Sequence, residues 1–389
     1  MVSSSIGSGD ARPGSAVAAD VARESGHLTF ALHGVAQTDR QQWLRDGLVA
    51  EMERRGHVQL PAPTDDVRLV LNFTDYVAPK PFRRKAQGTF VTSILETREE
   101  PGDLFRAFYP VLLYSLSNLG IIMVVRDDTV DAHFMTMEQG HYVVSWDPSR
   151  SESEFFAAIY DRLAPLATSQ LVINNDYVPD LPEELWEGDE ITRQITWAGE
   201  QLGKLNLLPA PWPIQDLLSE RDLKHVMRLF GIGGLSYGNL SARRDEKTFW
   251  MSASGVDKSR LYEVGRDILL VTDYLPERNA MVLSVSPNVQ PRRVSVDAIE
   301  HFMIYREHPD VGAIVHVHAW MDDITSTEVN YPCGTRELAL AVSELVRAAP
   351  DPSRAVVGLK NHGLTITGRS LPDIFERIDG KILPQVPMS

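Results

Sequence analysis

Residues 313–319 read AIVHVHA. Apolar and β-branched residues surround the two histidines, so the segment is expected to be a strand. Side chains two apart on a strand leave by the same face, which puts His316 and His318 together and turns Val315 and Val317 away. Two imidazoles on one face suit a single metal ion. A pair of ordinary polar strand histidines has the same spelling, so the pair needs company.

Working outward, residues 356–368 read VVGLKNHGLTITG, a strand, a turn and a strand, with His362 between Asn361 and Gly363. Glycine after the histidine permits a tight turn and a close approach by another group. A third imidazole would complete a three-nitrogen set and leave one coordination position open, as catalytic zinc requires. The alternative is a turn histidine bonded to its own loop. Upstream, SYGNLSARRD (236–245) and FWMSASGVDKSRL (249–261) combine small or hydroxyl residues with glycine. Such loops expose backbone N–H groups and can cradle an anion, although plain hairpin turns look alike. Asn239, Ser241, Ser254 and Gly255 are the candidates there, with Arg243, Arg244 and Lys258 near in sequence. Between the two histidine segments and these loops lies SVDAIEHFMIYREHPD (295–310), a helix with Ile299, Phe302 and Met303 as its buried stripe. Asp297 at its start would serve as a base beside a metal, or with Glu300 would stabilise the first helical turn. His301 and His308 are expected on the helix surface.

The first half alternates strand-like and helix-like runs. HLTFALHG, VRLVLNF, GTFVTSIL, GIIMVV, YVVSW and QLVINN read as strands, and DRQQWLRDGLVAEMERRG, LFRAFYPVLLYSL and SESEFFAAIYDRLAPLA as helices. This predicts a separate α/β or α+β layer domain over 27–180. It holds no phosphate-binding glycine loop, metal-ligand spacing or nucleophile elbow, and the cluster Lys80, Arg83, Arg84, Lys85 reads as a solvated loop. NDYVPDLPEELWEGDE is rich in proline and acid and reads as a linker. A helix over Ile191–Leu202 follows, so 181–205 is expected to be linker and entry helix. LLPAPWPI is a further break, and SERDLKHVMRLFG a helix capped by Ser219. The second domain is expected over 206–389.

With 389 residues, about two domains are expected. A formal charge of −15 and a pI near 5.2 disfavour phosphate backbones and anionic lipid, so neither nucleic acid nor membrane is an expected partner. The single cysteine, Cys333, rules out an intrachain disulfide and fits a reducing, cytoplasmic setting. Residues 1–26 are small and polar and read as a disordered tail without a signal peptide. The most apolar run, Tyr109–Val125, is broken by Ser115, Ser117, Asn118 and Gly120, and reads as a helix entering a strand.

The order GNLS, SASGVDKSRL, HPDVGAIVHVHA, GTRELA, KNHGLTITGR resembles the class II aldolase/adducin family over about residues 190–380. The resemblance implies an α/β fold, a three-layer α/β/α domain around a mainly antiparallel sheet. It implies that His316, His318 and His362 hold a divalent metal, Zn2+ with Fe2+ or Mn2+ as alternatives. Asn239, Ser254, Gly255 and Ser295 fall at substrate-phosphate positions, and Asp297 at the catalytic acidic position. The implied activity is a lyase of aldolase type acting on a small hydroxy-carbonyl or sugar-like substrate through a metal-stabilised enediolate, in a homo-oligomer. Other members of the family point to epimerase or iron-dependent oxygenase chemistry on the same site, or to a non-catalytic adducin-like binding protein. The sequence departs from the family in three places. Val296 stands where a second phosphate-site serine is usual. AWMDDITSTEVNYPC leaves little room between His318 and GTREL, with Tyr331 its one tyrosine. The chain ends soon after Arg377.

Overall fold

The computed structural model describes residues 28–64, 67–84, 86, 88–99, 101–136, 141–205, 219–221, 223–224, 238–384 and 386–387. The expected tail and the LLPAPWPI break lie outside the described residues, as does most of the helix expected after Ser219. By their contacts, the described residues fall into two units. One takes in those before 101 with Ser117–Ala132 and Val144–Thr168; the other takes in Pro101–Leu116, His133–Val143 and those from Ser169 onward.

The first half runs β1 (Thr29–Gly34), α1 (Asp39–Arg54), β2 (Val58–Leu60), β3 (Leu69–Phe73), β4 (Phe90–Thr97), α2 (Leu104–Tyr114), β5 (Leu119–Arg126), β6 (Thr129–Thr136), β7 (His141–Trp146) and α3 (Glu152–Thr168). Strands β2-β1-β3-β4-β5 lie in that order and all run parallel. Every residue of β3 is buried, which is why it reads as a continuous apolar run rather than an alternation. Helix α1 starts at Thr38, whose hydroxyl accepts from the Gln41 N–H, and Trp43 on it stacks on Phe155 of α3. The basic cluster departs from the solvated reading at Arg84. Its guanidinium is buried and donates to the Thr89 carbonyl and Asn118 Oδ1. Burial pulls its pKa down to about 9.

The second half runs β8 (Asn174–Val178), α4 (Glu190–Lys204), β9 (Gly238–Arg243), β10 (Phe249–Ser252), β11 (Ile268–Leu275), β12 (Ala280–Ser284), α5 (Ala298–Glu307), β13 (Ala313–Val317), β14 (Thr325–Ser326), α6 (Arg336–Ala348), β15 (Val356–Leu359), β16 (Gly363–Gly368) and α7 (Leu371–Ile378). The sheet order is β14-β15-β16-β13-β9-β10-β11-β12-β8. The sheet is mixed: β12–β8 and β14–β15 are parallel, and the pairings between β15 and β12 are antiparallel. The start of the stretch read as a linker, up to Val178, lies in an edge strand. Its β8 pairs with β12, and Leu181 and Leu185 beyond it are buried in this unit's core. QLVINN likewise does not close the first sheet, since Leu171 bridges to Thr335 and Asn174 opens β8.

Neighbouring residues on β10 show how the sheet is covered. Phe249 packs on Tyr305 of α5 at 4.8 Å, and the Trp250 indole donates to Asp189, the N-cap of α4. Adjacent strand residues face opposite ways, so α4 and α5 lie on opposite faces. Helix α7 packs with α4, and α6 with α5. Ile314, Val315, Val317, Leu364 and Ile366 are fully buried between these layers, each stabilising by roughly 1.5–3 kcal/mol.

Candidate metal centre

Strands β9, β13 and β16 set three side chains in a row. Asn239 is the cross-strand partner of His316, and Thr365 is its partner on the other side. Cross-strand partners share a face. Ser241, two residues from Asn239, bonds His301 and Tyr305 of α5, so this is the face that α5 covers. His318 follows the end of β13, and His362 sits in the turn before β16. That turn depends on glycine: a Cβ on Gly363 would lie 2.2 Å from the Val317 carbonyl oxygen and 3.1 Å from His318 Cα. Asn361 takes the left-handed φ of 56° that this residue type tolerates.

The three rings converge. Their centroids lie 5.2, 4.9 and 4.8 Å apart, and one ligand nitrogen from each lies within 4.8 Å of the others. His362 Nε2 is 3.1 Å from His318 Nε2. His316 and His362 are buried and His318 is half-buried. Burial holds the His316 pKa below the usual histidine value, against an upward pull from Asp297, and holds those of His318 and His362 far below it. The rings are therefore neutral, the form that binds metal. A backbone hydrogen bond at Leu364 also draws the His316 pKa upward, and among the described residues no side chain pairs with either of its ring nitrogens. Leaving a buried polar group unpaired costs about 1–3 kcal/mol, and coordination would relieve it. Three converging neutral imidazoles with an unsatisfied member fit a divalent ion.

Asp297 starts α5 but does not cap it with its side chain. Its Oδ2 accepts from Asn239 Nδ2 at 2.7 Å and its Oδ1 from the Gly334 N–H at 3.2 Å. Gly334 has φ +70°, and a Cβ there would lie 2.9 Å from Val296 Cβ and from the Val296 carbonyl oxygen. A left-handed glycine pressed against the residue before Asp297 thus delivers its N–H to the carboxylate. Glu300, one turn on, is also buried. Its Oε1 accepts from Thr365 Oγ1 at 2.5 Å. Burial, reinforced by the Asp297 charge and opposed by Thr365, pushes its pKa up to about 8.

The proposed anion positions lie in two bridged segments. Ala253 pairs with Val294, Ser254 N–H donates to the Arg293 carbonyl, and Ser295 N–H donates to the Ser252 carbonyl. Gly255 takes φ +70°. Lys258 is buried beneath, its Nζ donating to the Ala253 and Val256 carbonyls at 2.8 and 3.3 Å, and burial lowers its pKa to about 8. The arginines lie elsewhere: Arg243 ties α5 to the following loop through the Tyr305, His308 and Val311 carbonyls, and Arg244 pairs with Asp189 and Asp245.

Several residues near the histidines carry no sequence pattern that places them there. His301, expected on the helix surface, is fully buried, with Nδ1 2.7 Å from Ser241 Oγ. Cys333 Sγ lies 3.1 Å from His362 Nε2. Thr365, one position among alternating strand residues, holds Glu300.

The description "Class II Aldolase and Adducin N-terminal domain" matches residues 222–379. A methylthioribulose-1-phosphate dehydratase of Leptospira biflexa is 30% identical over 115 residues, covering 28% of this chain and 50% of that protein. One from Xanthomonas campestris is 31% identical over 88 residues, covering 23% and 35%. The chain thus spans about half the length, or less, of the curated relatives it matches. The solved structure of YgbL from Klebsiella pneumoniae aligns over 49% of this chain and 84% of that chain, at 16% identity and a TM-score of 0.32, which carries no argument about fold. Among the described residues no helix is long and apolar enough to cross a membrane.

Proposed function

We propose that the C-terminal half of the chain, whose residues 222–379 match the class II aldolase and adducin description, is a metal-dependent lyase of aldolase type for a small hydroxy-carbonyl or sugar-like substrate. The observation that carries this reading is the convergence of His316, His318 and His362 beside a doubly held Asp297. The histidines would hold Zn2+, with Fe2+ or Mn2+ as alternatives. A divalent ion so held supplies Lewis-acid stabilisation of the oxygen charge that develops during the reaction.

Asp297 is the proposed base. It takes the proton from the carbon next to the substrate carbonyl, and the freed electron pair moves toward the carbonyl oxygen. Asn239 and the Gly334 N–H fix the carboxylate's direction, so it meets the proton without first reorienting. In the condensing direction the carbon then attacks a second carbonyl, whose oxygen takes up a proton; cleavage is the reverse. The Ser254–Gly255 and Ser295 segments are the proposed seat for a substrate anion, with Lys258 bracing them from below.

The curated relatives support a second reading, loss of water. There the same proton is removed, and the electron pair expels the neighbouring hydroxyl, which leaves as water with a proton. The two readings share their first step and are separated by product. The test incubates the metal-loaded protein in D2O with small hydroxyketones, phosphorylated and not, including methylthioribulose 1-phosphate, and follows them by NMR. Exchange next to the carbonyl with carbon–carbon cleavage supports the aldolase, and exchange with water loss supports the dehydratase. No exchange from a protein with its metal bound would support an adducin-like binding role and sink the enzyme reading.

A further inference from the structure

We propose that Cys333 is a modification site, and that a metal ion and an adduct on its sulfur exclude one another at His362 Nε2. This rests on the reading of the three histidines as metal ligands. Cys333 Sγ lies 3.1 Å from His362 Nε2 and 3.9 Å from its Nδ1. The same Nε2 lies 3.1 Å from His318 Nε2, so it is the nitrogen that His362 turns toward the other imidazoles. A neutral imidazole has one acceptor nitrogen. If Nε2 is that nitrogen, its lone pair either accepts the Cys333 S–H or binds an ion. The cluster as a whole asks for an ion, since no side chain among the described residues pairs with either ring nitrogen of the buried His316.

The sulfur is within reach of small reagents, because Cys333 is half-buried while His362 is buried. Its backbone is held on both sides. Thr335 Oγ1 donates to the Pro332 carbonyl at 2.8 Å, and the N–H of Gly334, in the peptide bond that Cys333 begins, donates to Asp297. A group added to Sγ therefore presses on His362, and moving it away strains the peptide that aims Asp297. The chemistry is that of an exposed thiol beside a base. With a peroxide, sulfur attacks one oxygen, the O–O bond breaks, and the departing hydroxide leaves as water with the thiol proton. Sulfur is oxidised by two electrons to the sulfenic acid, and the peroxide is reduced. With iodoacetamide, a C–S bond forms, the C–I bond breaks, and iodide and the thiol proton pass to solvent. Exclusion acts both ways: an ion on Nε2 removes the thiol's acceptor, and an adduct blocks the ion.

The test follows iodoacetamide labelling of the full chain by intact mass, with Zn2+ bound and after chelation. Cys333 is the one cysteine, so thiol labelling reports this position alone. Zn2+ affinity is then measured by chelator competition for wild type before and after iodoacetamide, after hydrogen peroxide, after peroxide followed by dithiothreitol, and for Cys333→Ala. Bound Zn2+ should slow labelling about tenfold, and alkylation should lower Zn2+ affinity by about tenfold or more, within the range usual for coupled sites. Peroxide should lower affinity likewise, and dithiothreitol should restore it. Cys333→Ala should bind Zn2+ as wild type does and respond to neither reagent; if it does not fold, Cys333→Ser takes its place. Labelling at one rate with and without Zn2+, or alkylated protein with wild-type affinity, overturns the proposal alone. So does a sulfur-to-cobalt charge-transfer band in the Co2+-loaded protein, which would make Cys333 a ligand. A wild type that binds no metal overturns it together with the reading it rests on.

Discussion

Replacing Gly334 with alanine tests how Asp297 is held. The cost has two parts. At φ +70° an L-residue pays roughly 1–2 kcal/mol. The added Cβ would lie 2.9 Å from both Val296 Cβ and the Val296 carbonyl oxygen, and backbone cannot yield as a flexible side chain does. Overpacking of this kind costs about 1–3 kcal/mol, giving roughly 2–5 kcal/mol in all. Gly380 separates the parts, because it has φ +67° but nothing within 4 Å of its Cβ position. Gly380→Ala should therefore show the conformational cost alone. Urea unfolding of both variants reads the difference. Gly334→Ala should lose at least ~1 kcal/mol more, and its metal-loaded form should exchange substrate protons more slowly as the Asp297 bond lengthens. Equal losses in the two variants would refute the proposed close approach at Gly334.

Asp297→Asn removes the proposed base but keeps its shape, so proton exchange should fall by about 10²–10⁴ while metal content stays at the wild-type level; loss of metal instead would make Asp297 a ligand rather than a base. Glu307 accepts from Arg347 and Ser343, and the Arg347 bond first of all lowers its pKa to about 2. Its folded value lies below its unfolded one, so its contribution is present above about pH 4.5 and is lost as pH falls toward 2. For a partly exposed pair that contribution is about 1 kcal/mol or less. Acid titrations of wild type and Glu307→Gln should differ in that window and converge at its bottom; an unchanged difference at all pH values would contradict the assignment.

The histidines were legible because strand alternation joins His316 to His318 and because the motifs around them occur in a fixed order. Asp297 was legible as an acid at a helix start. Its aim was not, because Gly334, thirty-seven residues on, supplies one of its bonds. Helix α5 was read by its apolar period, which selects Ile299, Phe302 and Met303. Glu300, His301, Ile304 and Tyr305 are buried along with Ile299, whereas Phe302 and Met303 are half-buried. A buried polar face has the same spelling as a solvated one until its partners, Thr365 and Ser241, are known. The same holds for Arg84, whose charge suggests solvent until its partners, the Thr89 carbonyl and the more distant Asn118, are known. Strand β8 was missed for another reason. It is an edge strand with no fully buried residue, so Asn174–Val178 shows no apolar alternation.

The central claim is that His316, His318 and His362 form one metal site. Its most direct test is metal analysis of protein purified without added metal, for wild type and for each histidine replaced by alanine. The account predicts one divalent ion per wild-type chain and loss of that ion in each variant, with the fold retained by circular dichroism. Metal-free wild type, or variants that keep a full equivalent, would contradict it.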